Sequence, residues 1–361
     1  MMRAIELAQR GRGRVSPNPL VGAVVVRDGE PIGEGFHAEL GGLHAEVAAL
    51  QDCGSRGEDP AGATMYVTLE PCAHHGRRPP CTEAIVAAGL GRVVIGSDDP
   101  SEKASGRGPG ALRDEGIEVA FAEGADASAA RLLNQAFRKH ARTGRPLVTF
   151  KCAMTLDGRV AGADGDSKWI SGERSRALVH RWRGETDAIA VGIGTALADD
   201  PLLTARTDDD PRQPRRVIFD SSARLPLDSA LVGSIADAPL TVVASPAAPP
   251  KRLDALRAAG AEAIVVDGSP AERVGAALAE LGRREVTSLM LEGGPRLAGA
   301  FLAAGEVDRL RLFVAPLVLG AGRTAIEGAD ASGIADTERE LSVEWERVGE
   351  DMLARVPLRE W

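Results

Sequence analysis

The sequence predicts two α/β domains in succession, residues 1–144 and 145–361, and three observations carry that expectation. β-Branched runs alternate with helix-period segments along the first part of the chain, the pattern of an α/β layer sandwich. A long helical stretch over 125–143 closes on Gly144-Arg145-Pro146, after which the alternation starts again. A length of 361 residues exceeds one average domain. No unit of roughly 20–50 residues repeats, which sets aside solenoids and propellers.

The chain opens with an amphipathic turn or two of helix before Gly11. Residues 20–27 (LVGAVVVR) are a β-branched run, and the turn Asp28-Gly29 returns 31–35 beside it. Helical spacing of Val47, Ala48 and Leu50 predicts a helix over 43–52. A buried strand follows at 64–69 (TMYVTL), then a helix over 82–88 stopped by Gly89, and a strand at 92–95. A glycine-rich loop is expected over 105–110, with a helix over 111–115. In the second domain a strand over 147–155 runs into Leu156-Asp157-Gly158. Further strands are expected at 188–191, 216–219, 240–244, 263–266, 288–291 and 310–314. Helices intervene at 173–183, 252–258, 271–281 and 296–303, which predicts a doubly wound sheet or one close to it.

Composition narrows the function. Lys and Arg total 43 against 52 Asp and Glu, a net charge of -9, which repels a phosphate polymer. Aromatics at 3% leave few platforms for stacking bases, so nucleic acid is not an expected partner. No stretch approaches the roughly 20 apolar residues of a membrane span. The N-terminus lacks the apolar core of a signal peptide, so a cytoplasmic setting is expected, with no membrane partner. Four cysteines do not make a disulfide scaffold, and in a reducing compartment they serve as ligands or core fillers.

Three candidate ligands stand out. His44-Ala45-Glu46 opens one helix; Pro71-Cys72 follows a strand; Cys81, after eight intervening residues, opens another helix behind Pro79-Pro80. One imidazole and two thiolates suit zinc, with a fourth tetrahedral position left for water whose pKa falls toward ~7. Glu46 lies two residues past the ligand, near the metal without binding it, placed to move protons. His-x-Glu with Pro-Cys-x-x-Cys is a zinc deaminase signature, and the eight-residue gap makes this chain a variant of it. A closed structural site with Cys53 or His74 as fourth ligand is the alternative, and Cys152, inside a strand, reads as core.

The run His44-Ala-Glu46 with Glu70-Pro-Cys72-Ala-His-His-Gly-Arg-Arg-Pro-Pro-Cys81 resembles the deaminase half of the bifunctional riboflavin-biosynthesis deaminase–reductases, and Ser16-Pro-Asn-Pro-Leu-Val-Gly22 resembles their N-terminal signature. Lys151-Cys-Ala-Met-Thr-Leu-Asp-Gly-Arg159, Ser167-Lys-Trp-Ile-Ser171, Gly192-Ile-Gly-Thr-Ala-Leu-Ala-Asp-Asp-Pro201 and Leu291-Glu-Gly-Gly-Pro-Arg-Leu-Ala-Gly299 resemble the reductase half. The likeness spans essentially the whole chain. It implies a cytidine-deaminase-like α/β/α sandwich followed by a dihydrofolate-reductase-like α/β domain. It further implies deamination of 2,5-diamino-6-(5-phosphoribosylamino)pyrimidin-4(3H)-one, then NADPH-dependent reduction of the ribosyl group to ribityl.

By the same resemblance, Zn2+ falls to His44, Cys72 and Cys81, and catalysis of deamination to Glu46. NADPH contacts fall to Ala153, Trp169, Thr195, Asp199, Ser221 and the run Gly294, Pro295, Arg296, Leu297, Ala298, Gly299, Ala300. Substrate contacts fall to Ser167, Arg183, Leu203, Arg206 and Glu292. Two arginines suit a ribose phosphate and a carboxylate suits a polyol or polar base. Amides at the helix start beyond Gly294 suit the cofactor's phosphates. Lys151 and Asp199 are candidates for placing protons near the sugar. Asn18, His37, His74, Arg77 and Asp99 are candidates for the deaminase pocket, although Ser101-Glu102 stands where many relatives continue with Asn. A nucleoside or tRNA-type zinc deaminase with an accessory nucleotide-binding domain predicts a basic surface and a short Cys-x-x-Cys, and the chain has neither. Fold classes of this kind often pair through a sheet, which allows a homo-oligomer.

Overall fold

The structure is a computed structural model, and it describes residues 1–75, 79–102, 104–166, 168–207, 211–328 and 342–361. The chain divides into two units, Met1–Gly144 together with Trp361, and Arg145–Glu360. Within this division the boundary falls at 144/145, and the last residue, Trp361, groups with the first unit.

The first unit runs α1 (Met2–Gln9), β1 (Gly22–Arg27), β2 (Glu30–Phe36), α2 (Ala45–Ser55), β3 (Thr64–Val67), α3 (Cys81–Ala87), β4 (Arg92–Ile95), α4 (Arg107–Asp114), β5 (Glu118–Phe121), α5 (Gly124–Leu133) and α6 (Gln135–Thr143). Its sheet is ordered β2-β1-β3-β4-β5. The β1 strand is antiparallel to both neighbours, whereas β3, β4 and β5 are parallel. Asp28 and Gly29, at φ 51 and 86, make the tight β1–β2 turn. Period-two alternation explains why both sheet faces are covered. Ala23 and Val25 pack with Ala45 and Ala49 of α2, while Val24 packs with Ala4 and Leu7 of α1. A Cβ at Gly35 would sit 2.3 Å from the Ala49 backbone nitrogen, so glycine there lets α2 lie directly on β2.

Three elements differ from expectation. The long helix splits at Asn134, whose side chain accepts from the Leu20 backbone N–H and donates to the Leu20 carbonyl, both at 2.8 Å. That side-chain clasp replaces helix continuity with a contact across 114 residues. The α4 helix begins at Arg107, inside the expected glycine-rich loop, and β5 is a short strand with no alternation to reveal it.

The second unit runs β6 (Leu147–Thr155), β7 (Arg159–Ala161), α7 (Glu173–Glu185), β8 (Ala188–Gly192), α8 (Ile193–Asp199), β9 (Arg215–Phe219), α9 (Ala230–Gly233), β10 (Leu240–Ala244), α10 (Pro250–Ala258), β11 (Glu262–Val265), α11 (Pro270–Arg283), β12 (Ser288–Gly293), α12 (Pro295–Ala303), β13 (Arg309–Ala315), β14 (Arg323–Thr324), β15 (Glu344–Val348) and β16 (Asp351–Pro357). Its main sheet is ordered β11-β10-β9-β8-β12-β6-β13-β16-β15. Neighbours from β11 through β13 are parallel, and β16 and β15 finish that edge as an antiparallel pair. The sheet is thus mixed rather than purely doubly wound, with a separate β7–β14 ribbon. Along β8, Ile189 and Val191 enter one core while Ala188 and Ala190 enter the other, so helices cover both faces. Strands β8, β9 and β12 end at Gly192, Phe219 and Gly293, which open onto one cavity beyond their carboxyl ends.

Candidate active sites

In the first unit, three local features converge. His44 is the N-cap of α2, in extended backbone at φ -72 and ψ 154, which throws its ring off the helix start. Cys81 is the first residue of α3, and Cys72 lies in the loop between β3 and α3. Their ligand atoms all lie within 4.8 Å of one another. His44 Nδ1 is 3.1 Å from Cys81 Sγ and 3.6 Å from Cys72 Sγ. The Cys81 backbone N–H donates to Cys72 Sγ at 3.3 Å, a helix-start amide that favours thiolate. Hydrogen bonding between the thiols pulls Cys72 down to about 4 and pushes Cys81 up. One imidazole nitrogen and two sulfurs converging this closely fit zinc by donor chemistry. Among the described residues Cys53 lies outside this cluster, buried against Gly33.

Glu46 stands in the first turn of α2 and is only 4% exposed. Burial raises its carboxyl to about 7, with the Cys72 charge adding to the effect. A carboxyl poised there accepts and releases a proton with little driving force lost either way. His37 and Asn18 form a pair nearby. His37 Nδ1 lies 2.8 Å from the Leu43 carbonyl, which can only accept, so Nδ1 carries the hydrogen. Nε2 then accepts from Asn18 Nδ2 at 3.1 Å, and burial keeps the ring neutral by lowering its pKa. His37 also meets the His44 ring edge-on at 5.7 Å. His74 Nδ1 is buried without a hydrogen-bond partner among the described residues, and Asp99 accepts from the Ser101 backbone. Arg77 lies outside the described residues.

Sequence reasoning missed Glu70, two residues before Cys72. Its buried carboxylate accepts from the backbone amides of Gly106 at 3.1 Å and Gly108 at 3.3 Å. A Cβ at Gly108 would lie 2.0 Å from the Pro71 carbonyl, so the start of α4 is fitted against the Pro71-Cys72 turn. The acidic residue beside Pro71 was visible in the sequence; its partners, 38 residues on, were not.

In the second unit a cavity of about 1150 Å³ lies at the carboxyl ends of the central strands. Ala153, Trp169, Thr195, Asp199, Ser221, Gly294, Pro295, Arg296, Leu297 and Ala300 line it, as do Lys151, Arg183, Leu203, Arg206 and Glu292. Ala298 and Gly299 do not line it. The helix turns them away: Ala298 packs in the core, and Gly299 backs onto the Glu327 carbonyl. Ser167 lies outside the described residues. Gly192 and Gly294 cap α8 and α12 with no side-chain hydrogen bond, and both glycines line this cavity. Two helix starts with uncapped amides and a cavity of dinucleotide size fit the diphosphate of NADPH.

The structure joins residues that were read separately. Arg183 donates from Nε to Glu292 Oε1 at 2.7 Å and from Nη2 to Oε2 at 2.8 Å. Its Nη1 donates to the Thr204 carbonyl at 3.2 Å. Burial pushes the Glu292 carboxyl up, but the Arg183 charge and hydrogen bonds, helped by Lys151 and His180, outweigh it and hold it low. Arg183 is thus engaged with protein, while Arg206 is exposed on the same cavity. Trp169 is 70% exposed, with the Arg176 guanidinium 4.6 Å above its ring.

Two domain families match the chain. The cytidine and deoxycytidylate deaminase zinc-binding region matches residues 1–97, and the RibD C-terminal domain matches residues 146–354. The chain is 41% identical over 358 residues to the riboflavin biosynthesis protein RibD of Actinobacillus pleuropneumoniae, covering 98% of this chain and 93% of the relative. It is 40% identical to the RibD of Aquifex aeolicus, covering 98% and 96%. A solved diaminohydroxyphosphoribosylaminopyrimidine deaminase/5-amino-6-(5-phosphoribosylamino)uracil reductase from Thermotoga maritima superposes with a TM-score of 0.86, at 37% identity, covering 99% of this chain and 97% of that one.

A zinc deaminase domain joined to an NADPH-using reductase domain makes this a bifunctional enzyme. The ligand cluster of the first unit and the cavity of the second accord with those two halves. The chain belongs to the RibD family of riboflavin biosynthesis.

Proposed function

We propose that the chain performs two consecutive steps, with the individual residues in the roles that follow. The first unit deaminates 2,5-diamino-6-(5-phosphoribosylamino)pyrimidin-4(3H)-one, and the second reduces the ribosyl group of 5-amino-6-(5-phosphoribosylamino)uracil to ribityl. His44, Cys72 and Cys81 would hold zinc, which when bound would supply the Lewis acidity that makes water nucleophilic near neutral pH. Glu46 takes the proton as water adds to the amino-bearing ring carbon, then delivers it to the departing ammonia. Its burial is the observation that carries this role, because a solvated carboxyl would not hold a proton near neutrality. Asn18, held by His37, presents its amide to the pyrimidine.

When bound, NADPH would supply the hydride by which C1 of the sugar is reduced in the second step. Ala153, Thr195, Ser221 and the α12 start bind the cofactor, and Glu292, Leu203 and Arg206 bind substrate. Arg206 meets the phosphate; Arg183 orients Glu292 toward the sugar or base. Soluble phosphorylated partners suit a cytoplasmic setting, and no helix among the described residues is long and apolar enough to cross a membrane.

A paired assay tests the scheme. Purified protein given the diaminopyrimidine ribotide and NADPH is followed for ammonia and for loss of NADPH absorbance together. Ammonia first and NADPH loss second is the expected result. Silence in both channels with zinc bound overturns the substrate assignment.

A further inference from the structure

We propose that His180 is a positioning residue of the reductase half: its neutral imidazole holds the Arg206 guanidinium in the orientation that meets the substrate phosphate. The inference rests on the reading of Arg206 as the phosphate contact. His180 lies on α7, three residues before Arg183, and lines the same cavity. Its Nδ1 is 3.2 Å from the Thr204 carbonyl, and its Nε2 is 3.1 Å from Arg206 Nη2.

Those two neighbours determine the tautomer. A carbonyl oxygen can only accept, so Nδ1 carries the hydrogen and donates. A guanidinium can only donate, so Nε2 presents its lone pair. An imidazolium would set N–H against N–H at Arg206. Burial, together with the Arg183 and Arg206 charges, lowers the His180 pKa against the opposing pull of Thr204 and Glu292, in keeping with the neutral ring.

His180 is not needed to hold the loop itself. Arg216 donates to the Leu202 carbonyl at 3.2 Å, and Arg183 to the Thr204 carbonyl at 3.2 Å. Gln213 exchanges two hydrogen bonds with the Ala205 backbone, at 2.9 and 3.0 Å. The backbone on both sides of Leu203 is therefore braced by other side chains. What His180 adds is the acceptor for Arg206, a long exposed side chain that makes no other hydrogen bond among the described residues. Ordering such a side chain before the phosphate arrives removes rotamer entropy from the cost of binding.

Two amide variants separate the ring nitrogens. His180→Gln places a carbonyl oxygen near the position of Nε2, and His180→Asn places an amide N–H near that of Nδ1. Full-length, zinc-loaded protein is assayed with 5-amino-6-(5-phosphoribosylamino)uracil and NADPH, with thermal midpoints confirming folding. Arg206→Met and His180→Asn are each expected to raise the substrate KM about tenfold, with kcat and the NADPH KM little changed. His180→Gln is expected to recover most of that loss. In the Arg206→Met background, His180→Asn should add nothing further.

Recovery by Asn rather than Gln would show that the Thr204 bond matters instead, and would overturn the proposal. Additive effects of the two substitutions would overturn it as well. A wild-type KM in Arg206→Met would overturn the phosphate reading itself, whatever the His180 variants do.

Discussion

Arg183 and Glu292, 109 residues apart, face each other through two parallel hydrogen bonds of 2.7 and 2.8 Å, with side chains 14% and 6% exposed. A bidentate pair this buried is held by geometry as much as by charge. Removing one partner strands the other in a poorly solvated site. Arg183→Met should therefore destabilise the second unit by about 3–5 kcal/mol, and Arg183→Met/Glu292→Met should recover a large part of it. Urea denaturation of the single and double variants measures both effects. A double variant no better than the single would show that the pair is not the source of the loss.

The same pair makes stability depend on acid. The folded-state pKa of Glu292 lies below its ordinary value, so the unfolded chain binds the proton more readily. Its contribution is fully present above the unfolded pKa of ~4.3 and is lost as pH falls through the lower folded value. Wild-type protein should lose stability more steeply than Glu292→Gln as pH drops below ~4. Denaturation midpoints measured across that window should converge toward acid; parallel curves would contradict the prediction.

Glu46→Gln should keep zinc and lower ammonia release by at least ~100-fold, because the amide keeps the shape of the side chain but carries no proton to exchange. NADPH oxidation on supplied deaminated intermediate should be unchanged. Metal analysis accompanies the kinetics. Zinc lost along with activity would make Glu46 a ligand rather than a proton carrier.

Chelation of zinc should divide the two activities. In the proposed scheme ammonia release depends on the zinc that His44, Cys72 and Cys81 of the first unit would hold, and the cavity of the second unit draws on none of those residues. Chelated protein should still reduce 5-amino-6-(5-phosphoribosylamino)uracil and should regain ammonia release when zinc is returned.

Glu70→Ala should loosen the metal site without touching a ligand. It leaves the Gly106 and Gly108 amides without their acceptor and frees the turn that carries Cys72. Zinc affinity should fall about 10-fold or more, the size of effect seen when groups supporting metal ligands are removed. Competition with a chromogenic chelator reads the change directly. Unaltered affinity would assign Glu70 to local stability alone.

Much of the architecture was legible because its signals are local. The run 20–27 is β-branched and reads as a strand, whose period of two then sends successive side chains to opposite faces, and Asp28-Gly29 encodes the turn within two residues. Helices α10, α11 and α12 begin with proline, where a missing N–H costs nothing. Rare residue types made the zinc cluster readable, since only six histidines and four cysteines occur in the chain. The break at Asn134 and the strand β16 were not legible, because each depends on a partner far along the chain, and β15 joins the sheet only through β16.

By itself the sequence determined much of the order of strands and helices, the identity of the three candidate ligands, and the candidate proton carrier placed two residues beyond the first. Only the tertiary structure decided that Arg183 answers Glu292 instead of standing alone, that Glu70 holds the α4 start against the Cys72 turn, and that His180 faces Arg206. Backbone preferences and side-chain periodicity act over a few residues, so a sequence displays them openly. Hydrogen bonds between side chains depend on distance and direction in space, and those exist only once the sheet has brought its strand ends together.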